Sequence, residues 1–233
     1  MKIKTLIHTF TLLAVSSSVM AKELDITITN LTQGLYFTPI IAAAHTGDVQ
    51  IFSAGEMASS ELTALAEGGD VSGLVSVLTN GNANTIENPA MGLLAPTMST
   101  NFMLTNDDAN MYLSFSAMIL PSNDGFVGVN RWVIPQESGT YTAYVNAYDA
   151  GTEANDEVRG SGVPGESGMP VPPPLQGLIG TNGTGVTMVE ENTYVHIHRG
   201  NLGDSDMMAG KSDINNSVQR WLNPVAKLTV VVK

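Results

Sequence analysis

Two acidic turns hold the residues best suited to chemistry. Pro121-Ser122-Asn123-Asp124-Gly125 follows an apolar run that ends at Leu120, and Asp149-Ala150-Gly151-Thr152-Glu153-Ala154-Asn155-Asp156-Glu157 follows an alternating run that ends at Tyr148. Calcium takes six to eight oxygens from carboxylates, carbonyls and water, held by a flexible loop. Asp124, Asp149 and Glu153 offer three carboxylates, and the glycines allow backbone carbonyls to turn inward. The spacing matches no EF-hand loop, and acidic residues in β-turns are commonly turn formers carrying solvated charge. Both readings stand on spacing alone. Convergence of the two turns requires particular strand pairings, which a sequence does not specify.

Other reactive types are sparse. His196 and His198 are two apart in a β-like run, so both point to one face. Such a pair could bind zinc or copper. No third ligand lies nearby in sequence, so a half-exposed strand with Arg199 beside it is the plainer reading. His45 stands alone and reads as a satisfied, partly buried histidine. Trp132 and Trp221 read as core anchors rather than sugar-stacking platforms, and the 12 methionines as core gap-fillers. There is no cysteine, which excludes disulfides, zinc-thiolate sites and a thiol nucleophile. No G-x-S-x-G elbow, H-E-x-x-H motif or Walker loop is present. The acidic residues leave one enzymatic alternative, a periplasmic or secreted glycosidase-like hydrolase. It would need two carboxylates facing across a cleft, about 5 to 9.5 Å apart.

Charge and the N-terminus set the compartment. The net charge is −12, from 10 basic and 22 acidic residues, which disfavours nucleic acid and anionic lipid as partners. Lys2 and Lys4, a short apolar run from Leu6 to Val15, and Val19-Met20-Ala21 form the three-part pattern of a secretory signal peptide, residues 1–21. The apolar run is too short to span a bilayer, which takes about 20 residues. Cleavage after Ala21 leaves 8 basic against 22 acidic residues, a charge of −14. The product is expected in the periplasm or outside the cell, with no membrane insertion of the mature chain.

The elements that must position the acidic turns are mainly strands. Leu24, Ile26 and Ile28 alternate with polar residues, as in a strand with one buried face. Thr32 to Phe52 reads as connecting structure. Ser53 and Glu56 have capping-box spacing, and Met57, Leu62, Leu65 and Ala66 suit a helical face that Gly68-Gly69 stops. Val71 to Leu78 suits a second short helix, and Asn80 to Pro96 a loop. Strands are expected over Asn110–Leu120, Phe126–Ile134, Thr140–Tyr148, within Val186–Arg199, and over Val225–Lys233. Gly160 to Gly185 holds 8 glycines and 5 prolines, too many for regular structure. These elements predict one domain, residues 22–233, built as an antiparallel β-sandwich with one helical insertion.

PSNDGFVG (Pro121 to Gly128) followed by DAGTE (Asp149 to Glu153) resembles the spondin domain, the N-terminal extracellular module of F-spondin and mindin that also occurs in exported bacterial proteins. FTPIIAAAH (Phe37 to His45), FSAGEMASSELTALAEGGD (Phe52 to Asp70) and SDINNSVQRWLNPVAKLTV (Ser212 to Val230) are similar to its bacterial members. The resemblance implies an all-β, C2-like antiparallel sandwich with bound calcium. It places the metal carboxylates at Asp124, Asp149 and Glu153, where glutamate replaces the family's aspartate. It also implies a non-enzymatic adhesion or interaction module whose partner is a protein or cell-surface ligand that the sequence does not name.

Overall fold

The structure, a computed structural model, describes residues 21–107 and 109–233. The expected signal peptide, apart from Ala21, lies outside the described residues. Chain order is β1 (Lys22–Asn30), β2 (Tyr36–Phe37), β3 (Ile41–His45), α1 (Ser60–Gly68), α2 (Ser72–Asn80), β4 (Asn84–Glu87), β5 (Ser99–Asn106), β6 (Tyr112–Leu120) and β7 (Gly125–Val133). Then follow β8 (Gly139–Val145), β9 (Ala147–Asp149), β10 (Arg159–Gly160), β11 (Met169–Pro170), β12 (His196–Ile197) and β13 (Ala226–Val232). No helix among the described residues is long and apolar enough to cross a membrane.

Two antiparallel sheets form the sandwich. The smaller runs β5-β1-β13-β8. The larger runs β12-β9-β7-β6-β3-β4, with β2 also paired to β6. The alternation read in β1 has its physical cause here: Leu24, Ile26 and Ile28 point into the core between the sheets. They meet Leu228, Val230 and Val232 of β13, Phe102 and Leu104 of β5, and Phe115 and Val127 of the facing sheet. The first and last strands of the domain pair along their length, Leu24 opposite Val232 and Asn30 opposite Ala226. Long-range pairing of this kind joins the first and last described strands in one sheet.

The helices cover the outer face of the larger sheet. Leu62, Leu65 and Ala66 of α1 and Leu74 and Leu78 of α2 pack on Ile41, Ala43 and Phe126. A third cluster, with Met118, Leu120, Met169, Leu175, Ile179 and Ile214, seats the Gly/Pro-rich segment against the far end of the same face. The larger sheet is therefore buried on both sides at its centre, and β3 is buried at every position.

That double burial explains the chief departure from expectation. Ile41–His45 carries no apolar/polar alternation, because both faces of the strand are covered, so it read as connecting structure. The helix start also differs. Ser59, not Ser53, caps α1, accepting a hydrogen bond from the Leu62 N–H at 3.2 Å. The Ser53 carbonyl instead accepts from Glu56 N–H in a turn that contains Gly55 at φ +88°. The stop is as expected, with Gly69 left-handed and its N–H bonded to the Ala64 and Leu65 carbonyls. The run Thr140–Tyr148 is two strands. β8 pairs with β13 in the smaller sheet and β9 pairs with β7 in the larger, so the chain crosses between sheets at Asn146.

Candidate functional site

Strand pairing brings the two acidic turns together. β7 and β9 are antiparallel, with Gly125 opposite Asp149 and Val127 opposite Ala147. The turn before β7 therefore lies against the turn after β9. The Ala150 N–H donates to the Asp124 carbonyl at 3.2 Å and ties the two backbones. The Asp124 carboxylate is reached from the second turn as well: its Oδ2 accepts from Thr152 N–H at 2.8 Å, Thr152 Oγ1–H at 3.3 Å and Glu153 N–H at 3.2 Å.

Local chemistry fixes each turn. Ser122 Oγ donates to the Ile119 carbonyl at 2.6 Å and accepts from Gly125 N–H at 3.1 Å, which closes the tip around Asp124. Asp149 Oδ1 accepts from Gly151 N–H at 2.9 Å, an Asx turn that starts the second loop. Gly151 sits at φ +69°. A Cβ there would lie 2.6 Å from the Asn192 carbonyl oxygen, so the position accepts no side chain without movement.

All three expected carboxylates are buried: Asp124 is 0%, Asp149 2% and Glu153 8% exposed. Among the described residues, no lysine or arginine forms an ion pair with any of them. Burial, then repulsion from Asp149, raises Asp124 well above the usual carboxylate range, and the amides of Thr152 and Glu153 only partly oppose this. Burial also raises Glu153, to about 7. Asp124 Oδ1 and Glu153 Oε2 are buried and have no hydrogen-bond partner.

The three are not equivalent. Asp124 and Asp149 are close enough for the charge of Asp149 to raise the pKa of Asp124. The Glu153 side chain turns toward the Gly/Pro-rich segment, where its Oε1 accepts from Asn123 Nδ2 at 2.7 Å and from the Gly168 N–H. Asn123, 1% exposed, also donates to Asp156 Oδ1 at 2.8 Å and accepts from Glu157 N–H at 3.0 Å. It knits the acidic loop together. Sequence reasoning named Asn123 only as part of the turn. Its signal was position: an amide beside Asp124 can both donate to and accept from a loop crowded with carboxylates.

The histidines, read from the sequence as a pair without a nearby third ligand, also reach this site. β12 pairs with β9 so that His196 lies opposite Asp149. Asp149 Oδ2 is 3.8 Å from His196 Nε2 and 4.0 Å from His198 Nε2, and it accepts from Asn155 Nδ2 at 2.7 Å. His198 is buried against Trp221, ring centroids 4.8 Å apart. Burial lowers its pKa to about 4. Among the described residues, no three histidine, aspartate or glutamate side chains stand together as a ready-made metal cluster. Asp124 offers a buried, unpartnered Oδ1 with no lysine or arginine paired to it among the described residues, which suits a hard cation, whereas Asp149 faces imidazole nitrogens as well.

The remaining readings are accounted for. His45 is buried, its Nδ1 donating to the Thr46 carbonyl at 2.6 Å and its Nε2 accepting from Ser114 Oγ at 2.7 Å. Trp221 lies in the core, and Trp132 packs against it. The methionines differ from expectation. Met118 and Met169 are buried, whereas Met57, Met91, Met98, Met103, Met111, Met188 and Met208 are exposed.

No curated protein matches the chain significantly. The family model described as Spondin_N matches residues 29–161, a span that runs from β1 to β10 and contains Asp124, Asp149 and Glu153 but neither His196 nor His198. With both acidic turns inside a match that covers more than half of the chain, the protein belongs to the spondin N-terminal domain family.

Proposed function

We propose that the protein is an exported, calcium-binding interaction module, in which calcium pins the two acidic turns at one end of the sandwich. The observation that carries this reading is the buried Asp124–Asp149 pair. Two carboxylates 0% and 2% exposed, with no lysine or arginine paired to either among the described residues and Asp124 Oδ1 unsatisfied, are costly unless a cation joins them. Asp124 and Asp149 would supply side-chain oxygens. Glu153 would join through its free Oε2 or leave the site to carbonyls and water. Bound calcium would supply charge neutralisation and cross-linking of the loops, with no reaction. The pinned rim then presents a rigid surface to a protein or cell-surface partner. The family's extracellular setting and the charge of the mature chain support export and a partner other than nucleic acid. Burial of both aspartates also argues against a glycosidase, because neither carboxylate is open to a sugar ring.

The test is thermal unfolding of chelator-treated protein with and without calcium, in wild type and Asp124→Asn. Calcium at 100 times its dissociation constant adds about 2.7 kcal/mol, and at about 2–4 °C per kcal/mol the expected rise in wild type is roughly 5–10 °C. The variant should lose most of it. No rise in metal-free wild type would refute the reading. Export is tested separately by N-terminal sequencing of the mature product, which should begin at Lys22.

A further inference from the structure

His196 and His198 lack a third ligand in sequence, and the fold supplies one. The β9–β12 ladder sets Asp149 Oδ2 within 4.0 Å of both Nε2 atoms. The two rings are not alike. His196 Nδ1 lies 2.8 Å from the Tyr194 carbonyl. A carbonyl only accepts, so Nδ1 carries the proton and Nε2 presents a lone pair. That nitrogen lies 3.8 Å from Asp149 Oδ2, and two acceptors this close are joined either by the proton of a charged imidazole or by a metal ion. His198 has the opposite tautomer. Its Nδ1 accepts from Gly200 N–H at 3.0 Å, which leaves the proton on Nε2. That N–H belongs to a side chain only 2% exposed, has no hydrogen-bond partner, and lies 4.0 Å from the same Asp149 oxygen.

Access and outer contacts complete the arrangement. A solvent-open polar cleft of about 280 Å³ is lined by Asp149, His196, Glu190, Glu191 and Arg199. It gives an ion an entry path and room for water ligands. Asn155 Nδ2 donates to Asp149 Oδ2, as outer groups commonly orient a ligating carboxylate.

We propose that His196 Nε2 and Asp149 Oδ2 bind a divalent transition-metal ion of the zinc class at the mouth of this cleft. Asn155 acts as a positioning residue through its hydrogen bond to the same Asp149 oxygen. Imidazole with carboxylate suits zinc, copper(II) or nickel, whereas calcium takes oxygen alone. The site shares Asp149 with the calcium reading but does not depend on it.

The experiment is a zinc titration of the untagged, metal-free protein against a competing chelator dye, with and without saturating calcium, in wild type and His196→Ala. His196 is one-third exposed, so the variant should fold. Wild type should bind one equivalent of zinc, and His196→Ala should bind at least tenfold more weakly while keeping its calcium-induced thermal shift. Copper(II) in wild type should show a coordinated imidazole nitrogen by electron paramagnetic resonance, lost in the variant. Absence of zinc binding in wild type would overturn the proposal and leave His196–Asp149 a simple ion pair. Equal binding in His196→Ala would overturn it too, by placing the ion elsewhere. A missing calcium shift with zinc binding intact would refute the calcium reading alone.

Discussion

Asp149 stands opposite Gly125 in the β7–β9 ladder, and that register sets Asp124 beside Asp149 at one end of the larger sheet. Successive side chains of a strand alternate between faces, so a slip of one residue would turn Asp149 away from its partner. The acidic site is thus a consequence of sheet register, and the same residue joins it to His196 through the β9–β12 ladder on its other side.

Acid should stabilise the calcium-free protein. Burial, then repulsion from Asp149, holds Asp124 well above its usual range, and burial raises Glu153 from 4.5 to about 7. For Glu153 the folded state keeps a proton between those values that the unfolded chain releases. Its stabilising effect is full below 4.5 and is lost as pH rises through about 7. His198 opposes this. Its folded pKa is lowered from 6.5 to about 4, so the unfolded chain binds the extra proton in that window and stability falls with acid. Two carboxylates outweigh one histidine. Melting of metal-free protein should be several degrees higher at about pH 5.5 than at about pH 8, and saturating calcium should shrink or reverse the difference. Identical melting at both pH values without metal would contradict the buried, unpaired state of these acids.

Asn123→Ala should destabilise the fold by about 3 kcal/mol, roughly 1 kcal/mol for each bond lost. The bonds are those to Glu153, Asp156 and the Glu157 amide. Asn123→Asp should cost more, because it adds a charge beside two carboxylates. Urea unfolding of the calcium-free variants gives the comparison, and an unchanged midpoint would remove Asn123 from its central place in the loop.

Gly151→Ala should be poorly tolerated. Its left-handed φ of +69° and the crowding by Asn192, Thr193 and Tyr194 act together. A loss of about 2 kcal/mol is expected, with weakened calcium binding, since the Gly151 amide orients Asp149. Gly165→Ala is the control. It has a similar φ of +86° but no atom near its missing Cβ, so it should cost less and leave metal binding alone. Equal losses would show that backbone strain, rather than the close approach at Gly151, dominates.

Mild peroxide should oxidise Met57, Met91, Met188 and Met208, all more than 70% exposed, before Met118 and Met169, both 0% exposed. The early sulfoxides should leave melting nearly unchanged, because they add polarity where water already is. Peptide mass spectrometry at increasing oxidant dose checks the order. Early oxidation of Met118 would mean that the third cluster opens in solution.

Short-range pattern in the chain accounts for part of this fold. Alternation in Leu24–Asn30 and Ala226–Val232 wrote the half-buried strands, because one face meets the core and the other meets water. Gly68-Gly69 wrote the end of α1, because left-handed backbone favours glycine. The paired motifs around Asp124 and Asp149 pointed to the family and to the residues that converge. The rest arises from contacts between segments distant in sequence. β3 carries no alternation because the helices bury its second face. Glu153 turns to Asn123 and Gly168 because the Gly/Pro-rich segment folds back over the acidic loop. His196 gains Asp149 because β9 leaves the smaller sheet and joins the larger, and strand pairing between residues 47 positions apart is a property of the assembled sheet that no local pattern encodes.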